Sequence, residues 1–316
     1  MDSMRIMNSD QPILEVKDLS VSFHMYDEGL EQYDLQVISN LSIDVKPGEI
    51  VAIAGSSGSG KSLLAHAVMG LLPENASTTG TMLYKGKPLT EKDKEKLRGK
   101  EMALVPQSVA YLDPSMKIGS QVLGEKPDEN RKKAQKKAFA RFHLDEKTEH
   151  LYPFQLSGGM ARRVLVSKAV ISGAELIIAD EPTPGLDLEM ALEALRCFRE
   201  MADEGKAIIL ITHDIDLAFN FADRVAVFYA GTTVEIAPSA DFVKGPEALR
   251  HPYSKALWRA LPQNGFRPIP GFQPYARALP KGCLFAPRCP HKTEECEQTI
   301  PMQELRGGTV RCIHAT

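Results

Sequence analysis

The sequence has little of what would send a chain across a membrane or onto nucleic acid. No apolar run reaches the roughly 18 residues that a membrane-crossing helix requires. The opening stretch MDSMRIMNSDQP has no apolar core and no small-residue cleavage site, which argues against a secretory signal. These absences predict a cytosolic protein. Charge of one sign is not in surplus: 38 Lys and Arg face 41 Asp and Glu, a formal net charge of −3. Nothing global therefore draws the chain to nucleic acid or acidic lipid. Internal repeats and low-complexity segments are absent. Cysteine is scarce, with five in 316 residues, and its placement is uneven. Cys197 falls in the apolar pattern of LEALRCFREM and reads as a buried helical thiol. Cys283, Cys289, Cys296 and Cys312 crowd into the C-terminal tail. In a cytosolic chain such a cluster points to metal more than to disulfides.

What is present is a run of short β-branched segments alternating with helical patterns. ILEV, LSVSF and LSIDV precede Gly48 and read as an antiparallel edge region. IVAIA (50–54), MALVPQ (102–107), ELIIAD (175–180), AIILIT (207–212) and VAVFY (225–229) are continuous apolar strands. Strands of that kind, separated by helices, predict a parallel sheet covered on both faces. From about 111 to 165 the chain turns charged and helical, and its lysine-rich stretches read as solvated helix faces. Near Gly245 prolines accumulate, strand runs fade and the cysteines appear, so a boundary is expected there: a first domain over 13–244 and an extension over 245–316.

The strand ends carry the chemistry. GSSGSGKS (Gly55, Ser56, Ser57, Gly58, Ser59, Gly60, Lys61, Ser62) lies between a strand and a helix, the context of a phosphate-binding loop. Its backbone N–H groups and the following helix N-terminus favour phosphate oxygens. Lys61 is expected on the β- and γ-phosphates of ATP, and Ser62 on Mg²⁺. Asp180 ends a buried strand and is expected to hold Mg²⁺ through water, with Glu181 beside it as the base that polarises the attacking water. His213 ends another strand and is placed for the γ-phosphate. Gln107 ends a fourth and can touch Mg²⁺ or the water. Ligands of open α/β sheets bind outside the carboxyl ends of the strands, and four such ends deliver these residues.

In this order, GSSGSGKS, Gln107, LSGGM, LIIADE, GLD (Gly185–Asp187) and His213 resemble the nucleotide-binding subunit of an ATP-binding cassette (ABC) transporter over about 13–244. The resemblance implies a P-loop NTPase fold in the α/β class: a RecA-like parallel-sheet core, an antiparallel β edge and a helical subdomain. It also implies that two subunits, self or sibling, meet head to tail. Ser157, Gly158 and Gly159 of LSGGM then complete the ATP site of the facing chain, and Asp187 of GLD is a further nucleotide-binding residue. An N-terminal aromatic stacks on adenine: Phe23 is the choice, with Tyr26 and Tyr33 as alternatives. SVAYLDPSMKIGSQV, directly after Gln107, is expected to dock the permease. Departures from the family pattern are Arg162, where glutamine is usual, and TPGLD.

The tail refines the resemblance. HPYSKALWRALP and GCLFAPRCPHKTEEC…VRC look like the C-terminal extension of the oligopeptide, dipeptide and nickel importer ATPases. That implies an energy-coupling ATPase for a peptide or metal-chelate importer at the cytoplasmic face of the membrane. Its partners are two transmembrane permease subunits and an extracellular or periplasmic substrate-binding protein, with no nucleic acid. The four tail cysteines suit a [4Fe–4S] cluster, Zn²⁺ in its place, or free thiols. Two competing functions are a soluble cassette ATPase acting on DNA or ribosomes and a partner that binds ATP without hydrolysing it. The single cassette and the basic-tail deficit speak against the first, Glu181 and His213 against the second.

Overall fold

The computed structural model describes residues 11–27, 29, 31–124 and 127–316. Most of the segment weighed above for a secretory signal lies outside them. Among the described residues, twelve strands form two sheets: β1 (Leu14–Tyr26), β2 (Gln32–Val45), β3 (Ile50–Gly55), β4 (Ala76–Tyr84), β5 (Lys87–Pro88), β6 (Met102–Val105), β7 (Leu176–Asp180), β8 (Ala207–Ile211), β9 (Arg224–Tyr229), β10 (Thr232–Pro238), β11 (Gln303–Leu305) and β12 (Gly308–Val310). The helices are α1 (Lys61–Met69), α2 (Glu91–Leu97), α3 (Ile118–Leu123), α4 (Glu129–Arg141), α5 (Gly158–Val170), α6 (Leu188–Asp203), α7 (Ile215–Phe221), α8 (Ser239–Lys244) and α9 (Pro252–Ala260).

The large sheet runs β11-β12-β10-β9-β3-β8-β7-β6. Its five strands from β9 to β6 are parallel. Successive residues of a strand point to opposite faces, and both faces here are apolar. Ile50, Ala52 and Ala54 join Ile208, Leu210, Val225 and Val227 in one core with residues of α5 and α6. Val51 and Ile53 join Ile209, Ile211 and Phe228 in a second core with α1 and the small sheet. Double-sided burial explains why these strands read as unbroken apolar runs. The small sheet, β2-β1-β4-β5, is antiparallel. Between β6 and β7 lie α3, α4 and α5, so the charged stretch is helical.

The tail departs from expectation in one respect. Strand structure does not end near Gly245: β12 pairs with β10 and extends the main sheet. A buried charge network anchors this return. Glu235 of β10 is 0% exposed and Arg250 is 1% exposed. Arg250 donates to Glu235 and Asp241, and its Nε donates to the Leu305 carbonyl at 2.6 Å. Both carboxylate oxygens of Glu235 also take backbone N–H groups, from Arg250 and His251. A pair so satisfied tolerates burial that an isolated charge would not.

Candidate functional site

The phosphate loop begins where β3 ends, and close backbone approach dictates its first glycine. A Cβ on Gly55 would stand 2.4 Å from the Phe228 carbonyl oxygen. Gly60 turns into α1 with φ 91°, and no side chain caps the helix there. Its N-terminal positive potential therefore faces the loop without a competing side-chain acceptor. Lys61 is buried, and its ammonium donates to the carbonyls of Gly55 (2.9 Å) and Ser56 (3.0 Å). Burial lowers its pKa, while Glu181 and Asp180 pull it back up.

The other strand ends converge on this lysine. Ser62 Oγ donates to Asp180 Oδ1 at 3.1 Å. Burial pushes the Asp180 carboxyl above its ordinary value, and the neighbouring Glu181 adds to the rise against the Ser62 hydrogen bond. Glu181 has φ 47°, the left-handed region that a side chain with a Cβ seldom adopts. Its N–H reaches across to the Ile211 carbonyl at 2.9 Å. That turn lifts the residue off the sheet at a cost on the order of 1–3 kcal/mol. Glu181 Oε2 accepts from Gln107 Nε2 at 3.1 Å and lies 3.4 Å from His213 Nδ1. Lys61, Ser62, Gln107, Glu181 and His213 line a cleft of about 700 Å³ with Phe23, Ser57, Gly58 and Gly60, and buried Asp180 adjoins it through its bond to Ser62.

The structure thus brings Lys61, Ser62, Gln107, Asp180, Glu181 and His213 together, with Phe23 on the cleft wall. Tyr26 is largely exposed and Tyr33 lies under Arg277, 4.0 Å from the guanidinium carbon. Among the described residues lining the cleft, Ser157, Gly158, Gly159 and Asp187 do not appear. Ser157 caps α5 by accepting from Met160 N–H at 3.2 Å, and Gly158 opens onto free space. Asp187 caps α6 through Met190 N–H. The LSGGM loop of this chain is therefore not part of the lining of its own cleft.

Three cleft residues carried no motif signal: Val37, Leu63 and His66. His66 follows Ser62 by one helical turn, a spacing that could have found it. Arg162, visible in sequence only as a departure, has a clear place. It is 7% exposed, donating to the Pro106 carbonyl at 2.7 Å and to the Gln107 carbonyl. Burial lowers its pKa, and Glu181 and Asp180 favour its charge. It fastens the segment bearing Gln107 to α5, the helix that begins at Ser157.

The tail cysteines form no disulfide. Each thiol lies within electrostatic range of the other three. Among the described residues, however, no three His, Cys, Asp or Glu side chains stand as a ligand set for a metal ion. The [4Fe–4S] or zinc site expected at Cys283, Cys289, Cys296 and Cys312 is thus not assembled. The physical reason is burial, which favours the protonated thiol over the metal-binding thiolate at Cys283, Cys289 and Cys312. Burial raises the pKa of Cys283 and Cys289 and pushes Cys312 up to about 11. Cys283 and Cys289 lie against the core that contains Phe285.

Two family models match the chain: ABC transporter over residues 38–184, and Oligopeptide/dipeptide transporter, C-terminal region, over 234–296. The dipeptide transport ATP-binding protein DppD of Bacillus subtilis is 35% identical, covering 96% of this chain and 94% of its own length. The oligopeptide transport ATP-binding protein OppD of Escherichia coli is 35% identical over 95% of this chain and 92% of its own. The chain belongs to the ABC transporter ATP-binding subunits, in the oligopeptide and dipeptide branch. Among solved structures, an ATP-binding subunit of an ABC transporter matches with TM-score 0.62 and 25% identity, over 73% of this chain and 92% of that one. A dimeric cassette in a post-hydrolysis state with ADP and Pi matches with TM-score 0.62 and 26% identity, over 72% of this chain and 98% of that one. This ABC ATPase therefore has the cassette fold, with ATP as its substrate. No helix among the described residues of the cassette is long and apolar enough to cross a membrane.

Proposed function

We propose that the chain is the ATP-hydrolysing subunit of an importer for peptides, or for nickel and other metal chelates, at the cytoplasmic face of the membrane. One observation carries the hydrolytic assignment: Glu181 Oε2 meets both Gln107 and His213 at the mouth of the phosphate loop. Glu181 orients and polarises the attacking water. Lys61 leaves the loop carbonyls for the β- and γ-phosphates, and His213 contacts the γ-phosphate. Ser62, Asp180 and Gln107 fit the Mg²⁺ that accompanies the triphosphate, because a hydroxyl, a buried carboxylate and an amide oxygen are hard oxygen donors. When bound, the ion neutralises charge on the phosphate oxygens. Phe23 supplies an apolar face for adenine.

The absence of the α5 N-terminus from the lining of its own cleft supports a head-to-tail dimer with itself or a sibling ATPase, in which Ser157, Gly158 and Gly159 bind the facing γ-phosphate. ATP then closes the dimer and hydrolysis releases it. Exposed Val109, Tyr111 and Met116, just past Gln107, support docking of two permease subunits, which a substrate-binding protein would load. The domain division at 244–245 belongs to the same proposal.

The dimer is tested in trans. Ser157→Arg is expected to abolish hydrolysis while its own chain still binds nucleotide. Mixed with Lys61→Ala, it restores at most one composite site in a homodimer. Loss of nucleotide binding by isolated Ser157→Arg chains would overturn the cross-subunit assignment.

A further inference from the structure

Ser56, the second residue of the phosphate loop, finds its side-chain partner 217 residues later: its hydroxyl donates to Gln273 Oε1 at 2.5 Å. Gln273 sits in an extended strap that crosses from the phosphate loop to the β1–β2 hairpin. The strap is fixed on both sides of that contact. Before it, Arg288 donates to the carbonyls of Ile269 (2.9 Å) and Pro270 (2.7 Å) and, at 3.2 Å, to the Tyr229 hydroxyl. After it, Arg277 pairs with Asp27 and lies over the Tyr33 ring. Behind Ser56 stands buried Tyr253 of α9, packed at a tilt against Tyr229 and Phe285 at ring distances of 4.5 and 5.3 Å. The Ser56 hydroxyl and N–H lie against the Tyr253 phenol and counter the rise in pKa that burial causes.

The contact bears on the nucleotide because the Ser56 carbonyl also accepts the Lys61 ammonium at 3.0 Å. Ser56 is thus held from the tail on its side-chain side and from Lys61 on its backbone side. A phosphate loop free to wander must be ordered when the triphosphate arrives, and that ordering costs affinity. We propose that the tail is a positioning clamp for the phosphate loop: Gln273, seated by Arg288, holds Ser56 so that the loop meets ATP already in its binding turn. The proposal rests on Gly55–Ser62 being the nucleotide site. Gln273 is a positioning residue, since it acts through Ser56. Its hydrogen bond persists whether the bound nucleotide is in its ground state or its transition state. Losing it should raise KM and leave kcat nearly unchanged.

The test uses the full chain for nucleotide binding and the assembled transporter for turnover. Gln273→Ala is expected to raise the Kd for a fluorescent ATP analogue and the KM for MgATP about three- to tenfold, the worth of one hydrogen bond. Arg288→Ala should reproduce this shift by releasing the strap. In a Ser56→Ala background, Gln273→Ala should add nothing, because both changes remove one interaction. An unchanged Kd in Gln273→Ala, additive effects with Ser56→Ala, or a loss confined to kcat would each overturn the clamp. Lys61→Ala serves as the control for the underlying site. If that variant still binds nucleotide at wild-type affinity, the location of the site fails, whereas a normal Lys61 effect with a silent Gln273→Ala sinks the clamp alone.

Discussion

The strand-end cluster and the cysteine tail hold comparable numbers of reactive side chains, yet only one of them is assembled. At the strand ends, Ser62 meets Asp180 at 3.1 Å, Glu181 meets Gln107 at 3.1 Å and His213 at 3.4 Å, and Lys61 is anchored on the Gly55 carbonyl at 2.9 Å. In the tail, four thiols converge without closing into a ligand set. The difference lies in what carries the groups. Parallel strands with both faces buried deliver their ends to fixed points, so polar groups there stand in place before any ligand arrives. The tail cysteines ride on short 3₁₀ turns and loops. Pre-assembly is the property of a rigid scaffold, and the tail's firm part is its charge network and strap rather than its sulfurs.

The largest expected way to break the contrast is acid acting on the tail's firm part. His251 caps α9 by accepting the Tyr253 N–H at Nδ1, at 2.9 Å, and its Nε2 has no hydrogen-bond partner. Complete burial lowers its pKa to about 3 from 6.5. The unfolded chain therefore takes up a proton below about pH 6.5 that the folded chain refuses until about pH 3. Stability is present above the unfolded value and falls as pH drops through that window, by up to about 1.4 kcal/mol per pH unit and roughly 3 kcal/mol by pH 4. Denaturant titrations at several pH values should show this slope, and His251→Asn, which keeps a capping acceptor, should flatten it. Equal slopes in the two proteins would remove His251 from the account.

A smaller effect sharpens the other side. Arg162 ties Pro106 and Gln107 to α5 from a buried position. Arg162→Ala frees the Gln107 segment but removes nothing that touches the phosphate loop. Steady-state assays should show turnover down about tenfold, or roughly 1.4 kcal/mol, with nucleotide affinity little changed. A parallel loss of affinity would mean that the tether serves the whole cleft.

Much of this division was legible in the sequence. The unbroken apolar runs of β3, β6, β7, β8 and β9 announced doubly buried parallel strands, and the residues at or just past the ends of β3, β6, β7 and β8 announced the site. β10 was hidden because buried Glu235 interrupts its pattern, and its partner Arg250 is not local to the strand. β4 was hidden because ASTTGTMLY is mostly polar and exposed. Arg162 showed only as a departure, since its purpose depends on carbonyls 55 and 56 residues away. Gln273 gave no signal at all: its partner lies 217 residues upstream, and no periodicity links an extended strap to a phosphate loop.

The central claim is that the strand-end cluster is a pre-assembled hydrolytic site with Glu181 as its base. The most direct measurement sets nucleotide binding against turnover for Glu181→Gln in the assembled transporter. Glutamine keeps the shape and loses the carboxylate, so ATP should still bind at near wild-type affinity and accumulate in a closed dimer. Hydrolysis should fall by about a hundredfold or more, the typical worth of a general base. Turnover near that of the wild type would contradict the claim.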